Sequence, residues 1–390
     1  MTHWQSPRYM AWFPASSTYP GILGDLYSAA FTSANFNWIC SPAVTELETV
    51  MLDWVAQMLH LPDCFMSHGA GGGVIQGSAS EALVTCMIAA RERYLERATA
   101  MLEGEAKEDR IAQLRGKLVA LGSEQAHSSS AKGGKVAGVR YKSIKTHASD
   151  DFAMTGAAVK EALEDCKAKG LHPFYLTTCL GTTATCAVDR FDEIEGVLKD
   201  YPDIWTHVDA AWAGGALVLP EYQHLAQQMA FADSFEMNMH KWLLTNFDAA
   251  CLFVKQRRDL TDALTVTPSY LRHDLSEQGL VTDYRDWQIP LGRRFRSLKI
   301  WFVMRTYGIK GIQAHVQKHI KMGEGFADLV RTRKDILNVA TPPAFALTVV
   351  TCVPPNTNPA ESIAKAEGKT EKAETEGLTC LLYTSDAADE

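Results

Sequence analysis

The 390-residue chain lacks the cysteine and histidine patterns that mark metal sites and disulfide frameworks. Its nine cysteines form no C-x-x-C pair, and its twelve histidines include no H-E-x-x-H motif and no His/Cys group at zinc spacing. An odd cysteine count in a chain of this length favours reduced thiols. We therefore expect no bound metal, no disulfide framework and a cytoplasmic location.

The chain also lacks an excess of basic residues and any long apolar run. Its net charge of −8 and pI near 5.9 argue against nucleic acid or an anionic membrane as a partner. Apolar stretches such as 82–90 are far too short to cross a bilayer. Residues 1–5 show neither the basic start nor the apolar stretch of a secretory signal. What remains is the composition of an ordinary globular protein.

A glycine-rich stretch at 69–73, followed by the Gly-Ser-Ala-Ser run at 77–80, fits neither common nucleotide-binding fingerprint. The G-x-G-x-x-G spacing is absent, and no Gly-Lys-Ser/Thr follows. Ser78 and Glu81 instead form a capping-box pattern ahead of a helix predicted over 82–93. The free N–H groups and hydroxyls at this helix start suit a phosphate group, although a plain capped helix would show the same pattern.

The rest of the chain alternates between strand-like and helical segments. Strands are predicted at 118–121, 174–179, 206–208 and 250–254, with a further strand ending near Phe235. Helical stretches are predicted at 42–59, 82–93, 97–116, 156–169 and 190–199. This alternation is typical of a largely parallel α/β sheet.

Two residues stand where such a sheet carries its chemistry. Asp209 ends an apolar strand and is followed by small residues, which places a carboxylate at the carboxyl edge of the sheet. Lys241 lies just beyond the strand that ends near Phe235. Taken singly, Asp209 could be a helix cap or part of a buried ion pair, and Lys241 could be a surface lysine. Together they fit a carboxylate that keeps a pyridinium nitrogen protonated and an amine that attacks a carbonyl.

The ordered motifs of the chain resemble those of the aromatic amino acid decarboxylases, which are fold-type-I PLP (pyridoxal 5′-phosphate) enzymes related to glutamate decarboxylase. The resemblance runs from His3 to about Val353. The motifs that carry it are His3-Trp4-Gln5-Ser6-Pro7, Ser41-Pro42-Ala43 with Thr45-Glu46-Leu47-Glu48, Val74-Ile75-Gln76-Gly77-Ser78-Ala79-Ser80-Glu81-Ala82, Gln125-Ala126-His127-Ser128-Ser129, Leu180-Gly181-Thr182-Thr183, His207-Val208-Asp209-Ala210-Ala211, Asn238-Met239-His240-Lys241-Trp242 and Gln288-Ile289-Pro290-Leu291-Gly292-Arg293-Arg294-Phe295-Arg296-Ser297.

The resemblance implies a role for each matching residue. Lys241 would carry PLP as a Schiff base, Asp209 would pair with the pyridine nitrogen and His127 would stack on the ring. Tyr270 matches the tyrosine of the family's mobile catalytic loop, which returns a proton with help from His127. The implied catalytic residues are Lys241, His127, Tyr270 and Asp209. The implied cofactor-binding residues are Lys241, Ala79, Ser80, His127, Thr182, Asp209, Ala211, Ser234, Asn238 and His240, with Ala79, Ser80, Ser234 and Asn238 at the phosphate.

The resemblance also implies the substrate and the reaction. The family pocket positions are occupied by Trp4, Trp12, Phe13, Pro14, Ala34, Phe36, Leu291 and Gly292, which suit a flat aromatic side chain. We expect decarboxylation of an aromatic L-amino acid, with tryptophan or 5-hydroxytryptophan favoured over DOPA because Trp12 and Ala15 lack the hydroxyls of many relatives. The alternatives are an aromatic acetaldehyde synthase, which the presence of Tyr270 and His127 disfavours, and a fragment that is not a competent enzyme.

The resemblance finally implies a domain plan and a homodimer. We expect a remnant of an N-terminal dimer-wrapping segment at 1–23, a large PLP-binding domain with a mainly parallel sheet flanked by helices at 24–298, and a truncated small C-terminal α/β domain at 299–353. A polar insert is expected at 354–379. The segment 380–390 resembles a translated sequencing adapter and is expected to be non-native. In this family the active site is shared across the dimer, with the Phe36 and Leu291–Gly292 regions entering from the neighbouring subunit.

Overall fold

A computed structural model describes residues 3–6, 9, 13–31, 33–266, 268, 271 and 273–352, with only the backbone of Glu277. The predicted segments 354–379 and 380–390 lie outside the described residues. The helices are α1 Tyr19–Phe31, α2 Pro42–Met58, α3 Ala79–Ala98, α4 Gly104–Arg115, α5 Ser128–Ala137, α6 Gly156–Ala168, α7 Phe191–Leu198, α8 Gln223–Gln228, α9 Met239–Trp242, α10 Arg257–Leu264, α11 Asp274–Glu277 and α12 Arg296–Arg331. The strands are β1 Gly72–Gln76, β2 Leu118–Ser123, β3 Arg140–Ile144, β4 His172–Cys179, β5 Trp205–Asp209, β6 Ser234–Asn238, β7 Ala250–Val254, β8 Leu337–Val339 and β9 Val350–Cys352.

The main sheet has seven strands in the order β1-β7-β6-β5-β4-β2-β3. Strands β6, β5, β4, β2 and β3 run parallel, whereas β7 is antiparallel to both of its neighbours. Strand β1 therefore points the same way as the parallel strands, and the carboxyl ends of β1, β2, β4, β5 and β6 all meet one edge. The prediction of a mainly parallel α/β sheet is confirmed, although the antiparallel β7 was not foreseen.

Helices cover both faces of this sheet, as the apolar strands require. On one face, α3 packs over a core that includes Trp205 and Leu252. On the other face, α2 and α12 pack over Phe235 and Phe253, while α6 and α7 cover the β2–β4 side around Leu176. The long helix α12 contains one non-helical residue, Gly308 (φ 62°, ψ 174°), where its direction changes.

Two strands of the main sheet escaped prediction for different physical reasons. Strand β1 begins inside the glycine-rich stretch at 69–73, for which no strand was predicted. A Cβ atom on Gly73 would lie 2.9 Å from the Phe253 ring, so glycine allows the close packing of β1 on β7. Strand β3 lies at the sheet edge, and its sequence Arg-Tyr-Lys-Ser-Ile is mostly polar and partly exposed. Polar edge strands carry little of the apolar signal on which the other predictions rest.

The small two-stranded sheet of β8 and β9 is antiparallel and packs beside α12. It is the part of the chain in which the small C-terminal domain was expected. The boundary between the two predicted domains remains a prediction, since α1 from the start of the chain also packs along α12. None of the helices in the described part of the chain combines the length and apolar character needed to span a membrane.

Candidate active site

The carboxyl edge of the main sheet carries a pocket built from five loops and from Phe13, which precedes α1. Each loop follows a strand that ends at this edge, which is where open α/β sheets place their ligands. The residues that line the pocket are Phe13, Ala79, His127, Cys179, Gly181, Thr182, Thr183, Asp209, Ala211, Trp212 and Lys241. Six of the predicted cofactor-binding residues thus meet in one place: Ala79, His127, Thr182, Asp209, Ala211 and Lys241.

Lys241 reaches the pocket because β6 ends at Asn238 and the chain turns at once into the single turn α9. Its residue surface is only 8% exposed, and its Nζ lies 5.6 Å from the centroid of the Phe13 ring. Ser16 fixes the backbone here, since its N–H donates to the carbonyl of His240 (2.7 Å) and its hydroxyl donates to the carbonyl of Lys241 (3.2 Å). The amine is thus held next to an aromatic face, where a cation is attracted to the ring.

Asp209 ends β5 and presents its carboxylate to the same pocket. Its Oδ1 accepts the N–H of Ala211 (3.0 Å), which orients the group. Two buried neighbours are shifted towards their neutral forms. Burial lowers the pKa of His207 to about 4, and burial together with the Asp209 charge raises the pKa of Asp189 to about 7. Asp209 presents carboxylate oxygens at this edge, and a protonated ring nitrogen would be their natural partner.

The amino terminus of α3 forms a second, anion-binding corner. The Ser78 hydroxyl accepts the N–H of Glu81 (3.1 Å), and Glu81 Oε2 accepts the N–H of Gly77 (3.0 Å). The predicted cap is present, with the return bond going to Gly77 instead of Ser78. The helix begins at Ala79, three residues earlier than predicted, and Ala79 lines the pocket. A 20-residue helix that starts at the pocket presents its positive dipole end there.

Asn238 adds an unsatisfied polar group beside Lys241. Its residue surface is 1% exposed, and within the described part of the chain neither its amide nitrogen nor its amide oxygen has a hydrogen-bond partner. Buried amides are normally paired, and an unpaired one costs about 1–3 kcal/mol. Asn238 does not line the pocket itself, but a hydrogen-bonding ligand that extended to it from Lys241 would satisfy this amide.

His127 caps the amino terminus of α5 from the loop after β2. Its Nδ1 accepts the N–H of Ser129 (3.1 Å) and lies 2.8 Å from the Ser129 hydroxyl. Because Nδ1 is an acceptor, the neutral ring carries its proton on Nε2. The half-buried imidazole lines the pocket with its orientation fixed in this way.

Thr182 and Gly181 shape the wall that follows β4. Both N–H groups donate to the carbonyl of Ala187 (3.0 Å each), and the Thr182 hydroxyl accepts the N–H of Ala187 (3.0 Å). Gly181 has φ +86°, and a Cβ atom there would lie 2.5 Å from that of Ala213. Glycine is thus required for this tight turn.

The pocket residues fit PLP group by group. Lys241 offers an amine for a covalent link, Asp209 offers a carboxylate for the pyridine nitrogen, and the start of α3 at Ala79 offers an anion site for the phosphate.

The chain matches the pyridoxal-dependent decarboxylase conserved domain over residues 1–351. The chain belongs to this family. Aromatic-L-amino-acid decarboxylase of Cavia porcellus is 50% identical over 333 residues, which cover 85% of this chain and 68% of that protein. The crystal structure of Oryza sativa TDC with PLP and tryptamine aligns with a TM-score of 0.85 at 40% identity, over 90% of this chain and 71% of that one. The crystal structure of Rhodiola rosea 4-hydroxyphenylacetaldehyde synthase aligns with a TM-score of 0.82 at 35% identity, over 94% and 75%.

The structure of this decarboxylase does not support the prediction that Ser234 binds the phosphate. Strand β6 ends at Asn238 and not near Phe235, so Ser234 lies at its opposite end, about 13 Å away along the strand. Its hydroxyl accepts the indole N–H of Trp205 (2.8 Å) and contacts His207 Nδ1 (2.8 Å). The side chain is therefore part of the buried layer beneath α3.

Two other predicted cofactor residues flank the pocket without lining it. Ser80 is half-buried in the first turn of α3. His240 is 2% exposed, its Nδ1 accepts the N–H of Ala249 (2.9 Å), and its ring meets Phe247 edge-on. Among the contacts that the structure shows, those of His240 hold the loop that follows α9.

The predicted substrate residues fall into three groups. Phe13 lines the Lys241 pocket. Trp4 and Pro14 are exposed. Ala34 and Phe36 form one region and Leu291 and Gly292 another, and none of these four residues lines this pocket. The last two regions are joined because the Arg293 N–H donates to the Ala34 carbonyl (2.9 Å). Trp12 and Tyr270 lie outside the described residues.

Sequence reasoning missed four residues of the pocket: Cys179, Gly181, Thr183 and Trp212. Trp212 is the most important of them, since its ring packs on Phe13 with centroids 4.9 Å apart. Trp212 follows Asp209 by three residues, so its position near the carboxyl edge of the sheet could have been predicted from the sequence. Gly181 and Thr183 stand next to Thr182 and could have been found in the same way.

Proposed function

We propose that this chain decarboxylates an aromatic L-amino acid to the corresponding arylalkylamine and carbon dioxide. The observation that carries the proposal is the aromatic wall of the Lys241 pocket. Phe13 and Trp212 face the pocket together, and Lys241 is the only lysine or arginine among its described lining residues. Such a wall suits a flat apolar side chain and offers no cation to a second carboxylate.

The relatives support this choice of substrate class. The Cavia porcellus protein is named for aromatic L-amino acids, and the Oryza sativa structure contains tryptamine. Trp12 and Ala15 stand where many relatives carry hydroxyls, and the absence of those hydroxyls disfavours a catechol such as that of DOPA. We therefore favour tryptophan or 5-hydroxytryptophan.

Each group in the pocket would have one task. Bound PLP supplies the electron sink that accepts the electron pair left when carbon dioxide departs. Asp209 would keep a proton on the pyridine nitrogen, which is electrostatic stabilisation of the charge that develops. Lys241 would hold the cofactor through Nζ, and the α3 terminus with Asn238 would hold its phosphate.

Proton return to the substrate Cα is assigned to two residues. His127 can donate from Nε2, because its Nδ1 is occupied by Ser129. Tyr270 remains the predicted loop donor. The buried, aromatic pocket around Lys241 would keep water from competing for this proton transfer.

We also propose that two copies of the chain complete each other's sites. The 34–36 and 291–293 regions lie together on one surface, and Leu291 is 49% exposed. The helix α1 presents a row of exposed apolar side chains: Tyr19, Ile22, Leu23, Leu26, Tyr27 and Phe31. An apolar surface of this kind is typical of an interface, and a second copy is the partner that would bring Phe36 and Leu291 to the Lys241 pocket.

The test is product analysis by mass spectrometry. The protein is incubated with PLP and, separately, with L-tryptophan, 5-hydroxytryptophan, DOPA, tyrosine, phenylalanine and glutamate, with Lys241→Ala as the blank. We expect an arylalkylamine from one or more aromatic substrates and none from glutamate. An aldehyde accompanied by hydrogen peroxide would identify an acetaldehyde synthase instead, and glutamate decarboxylation would overturn the aromatic assignment.

A further inference from the structure

Two tryptophans form a stacked pair directly behind the pocket wall. The rings of Trp212 and Trp242 lie 4.4 Å apart with an angle of 7° between their planes, and the residues are 7% and 1% exposed. Trp212 lines the pocket and packs on Phe13, while Trp242 follows Lys241 in the chain. The position of this indole stack therefore fixes both the pocket wall and the backbone of the lysine.

Both indole N–H groups of the stack are held by the C-terminal part of the chain. Trp242 Nε1 donates to His319 Nδ1 on α12 (3.2 Å), and Trp212 Nε1 donates to the carbonyl of Phe345 (3.3 Å). A buried indole N–H needs an acceptor, and each bond sets the rotation of its ring. The segment after Arg296 thus reaches the active site through these two bonds.

His319 works as an acceptor only while its Nδ1 is unprotonated. The His315 ring lies one helical turn away with its centroid 4.2 Å from that of His319. Burial lowers the pKa of His319, and burial followed by the neighbouring His319 lowers the pKa of His315 to about 4. Both rings are therefore neutral near pH 7, and the indole bond selects the tautomer of His319 that carries its proton on Nε2.

The charged surroundings of the histidine pair are simple. Lys318 on the same helix lowers the pKa of both rings. The 3₁₀ helix Ala213–Val218 and strand β8, which pack against α12, carry no ionisable side chain. Each acidic side chain of α1 and α2 has a partner other than the histidines. The pairs are Asp25 with Lys299, Glu46 with Trp38, Glu48 with Arg293 and Asp53 with Ser67. The ionisable side chains of α9 are His240 and Lys241.

We propose that His319 is a positioning residue of the active site, which holds Trp242 through its indole N–H and thereby sets the place of Lys241 and of the Trp212–Phe13 wall. This inference rests on the proposed function only in so far as Lys241 carries the cofactor. Acidification that protonates His319 removes the acceptor, releases the Trp242 ring and loosens the wall. The C-terminal segment then acts on catalysis without touching the substrate.

The test compares two replacements of His319. In His319→Gln the side-chain amide oxygen can still accept the indole N–H but does not titrate, whereas His319→Leu has no acceptor. The first measurement is the near-ultraviolet circular dichroism of the cofactor-free protein, which reports the stacked indoles whether or not the enzyme is active. We expect His319→Leu to lose most of the tryptophan signal and to bind PLP about two- to tenfold more weakly. His319→Gln should retain both properties.

The pH dependence separates positioning from a purely structural role. In the wild-type protein the indole signal and PLP affinity should fall as the pH drops below the range of a free histidine, about 6.5. In His319→Gln this fall should shift to lower pH. His224→Gln, which changes an exposed histidine on α8, is the matched control and should behave as wild type.

A second variant guards against a folding defect in His319→Leu. Trp242→Phe keeps an aromatic ring but removes the N–H donor, so it should reproduce the loss in PLP affinity, and the double variant should be no worse than either single one. Additive losses, or a His319→Leu protein with unchanged dichroism and PLP affinity, would overturn the proposal. An inactive wild type that still shows the dichroism and PLP-binding differences would instead contradict the proposed function alone.

Discussion

The cofactor side and the substrate side of the active site are built in different ways. Lys241 and Asp209 stand at strand ends, are oriented by hydrogen bonds within the chain, and meet in one pocket. Leu291 and Gly292 stand on an exposed turn, and neither contributes to that pocket. The first region is brought together within a single chain. The second, we propose, gains its function from a second copy.

The two regions depend on different parts of the fold. The cofactor side needs only the sheet edge and the short loops that follow its strands, so it forms when the sheet forms. The substrate side is supported from within by a buried ion pair between Arg293 and Glu48, both nearly inaccessible to solvent. The Leu291–Gly292 turn next to this ion pair is nevertheless exposed on the surface. Stability and function are therefore carried by different groups here.

The largest effect is expected from mixing two inactive variants. Gly292→Trp places a large ring where this chain has open space, so it should fold normally yet block the partner's pocket. Lys241→Ala removes the amine. If sites are shared, each mixed dimer keeps one intact site, and an equal mixture should regain about a quarter of wild-type activity. Activity is measured after joint refolding or co-expression, with Gly196→Trp, another open surface position, as the control. No recovery would place Gly292 in its own chain's site.

The next largest effect concerns the cofactor side alone. Asp209→Asn keeps the size of the side chain and a possible bond to the Ala211 N–H, but it removes the charge that would hold the ring proton. We expect kcat to fall by about 10²–10³-fold, as for loss of other charge-stabilising groups. PLP should still bind and still link to Lys241, which borohydride reduction and mass spectrometry would show. A variant with wild-type kcat would remove Asp209 from the proposed role.

These expectations also show how far the sequence alone could lead. Lys241 and Asp209 were placed correctly at one edge because strand ends can be read from apolar runs followed by small or polar residues. The assignment of Ser234 to the phosphate came from the resemblance alone. The end of β6 was predicted near Phe235 because the strand continues through the buried, acidic Glu236, which an apolar pattern cannot reveal. The polar strand β3 was missed for the same reason. Local sequence patterns thus predict that a parallel sheet exists better than they predict where each strand begins and ends.

Contacts between residues far apart in the sequence could not be predicted from the sequence alone. Nothing in the spacing of residues predicts that His319 accepts a bond from Trp242, since the two lie 77 residues apart. Whether Leu291 faces solvent or a second subunit likewise depends on the assembly and not on local structure. Both regions depend on tertiary or quaternary packing, which is the level at which single-sequence reasoning ends.

A smaller effect, on stability, tests the support beneath the exposed turn. Arg293 Nη1 donates to Glu48 Oε2 (2.9 Å), and Glu48 Oε1 also accepts the N–H of Ile75 in β1 (2.9 Å). Glu48→Gln leaves the buried guanidinium without its counter-charge and should lower the free energy of unfolding by about 3–5 kcal/mol. Urea denaturation measures this. Glu46→Gln, on the exposed side of α2, should cost far less, and equal losses would show that the ion pair has no special weight.

The smallest effect is an acid-dependent loss of stability on the cofactor side. Burial lowers the pKa of His207 to about 4, so the folded protein keeps this ring neutral while the unfolded chain takes up a proton near pH 6.5. Stability is therefore fully present above pH 6.5 and should decline as the pH falls towards 4.

His207→Gln removes the titrating group, and its amide oxygen can accept a hydrogen bond from the Ser234 hydroxyl that His207 Nδ1 contacts. Thermal unfolding followed from pH 7.5 to 4.5 should show a shallower decline in His207→Gln than in wild type. Because His315 and His319 also titrate in this window, the slope should decrease without disappearing, and an unchanged slope would mean that His207 is not held neutral by the fold.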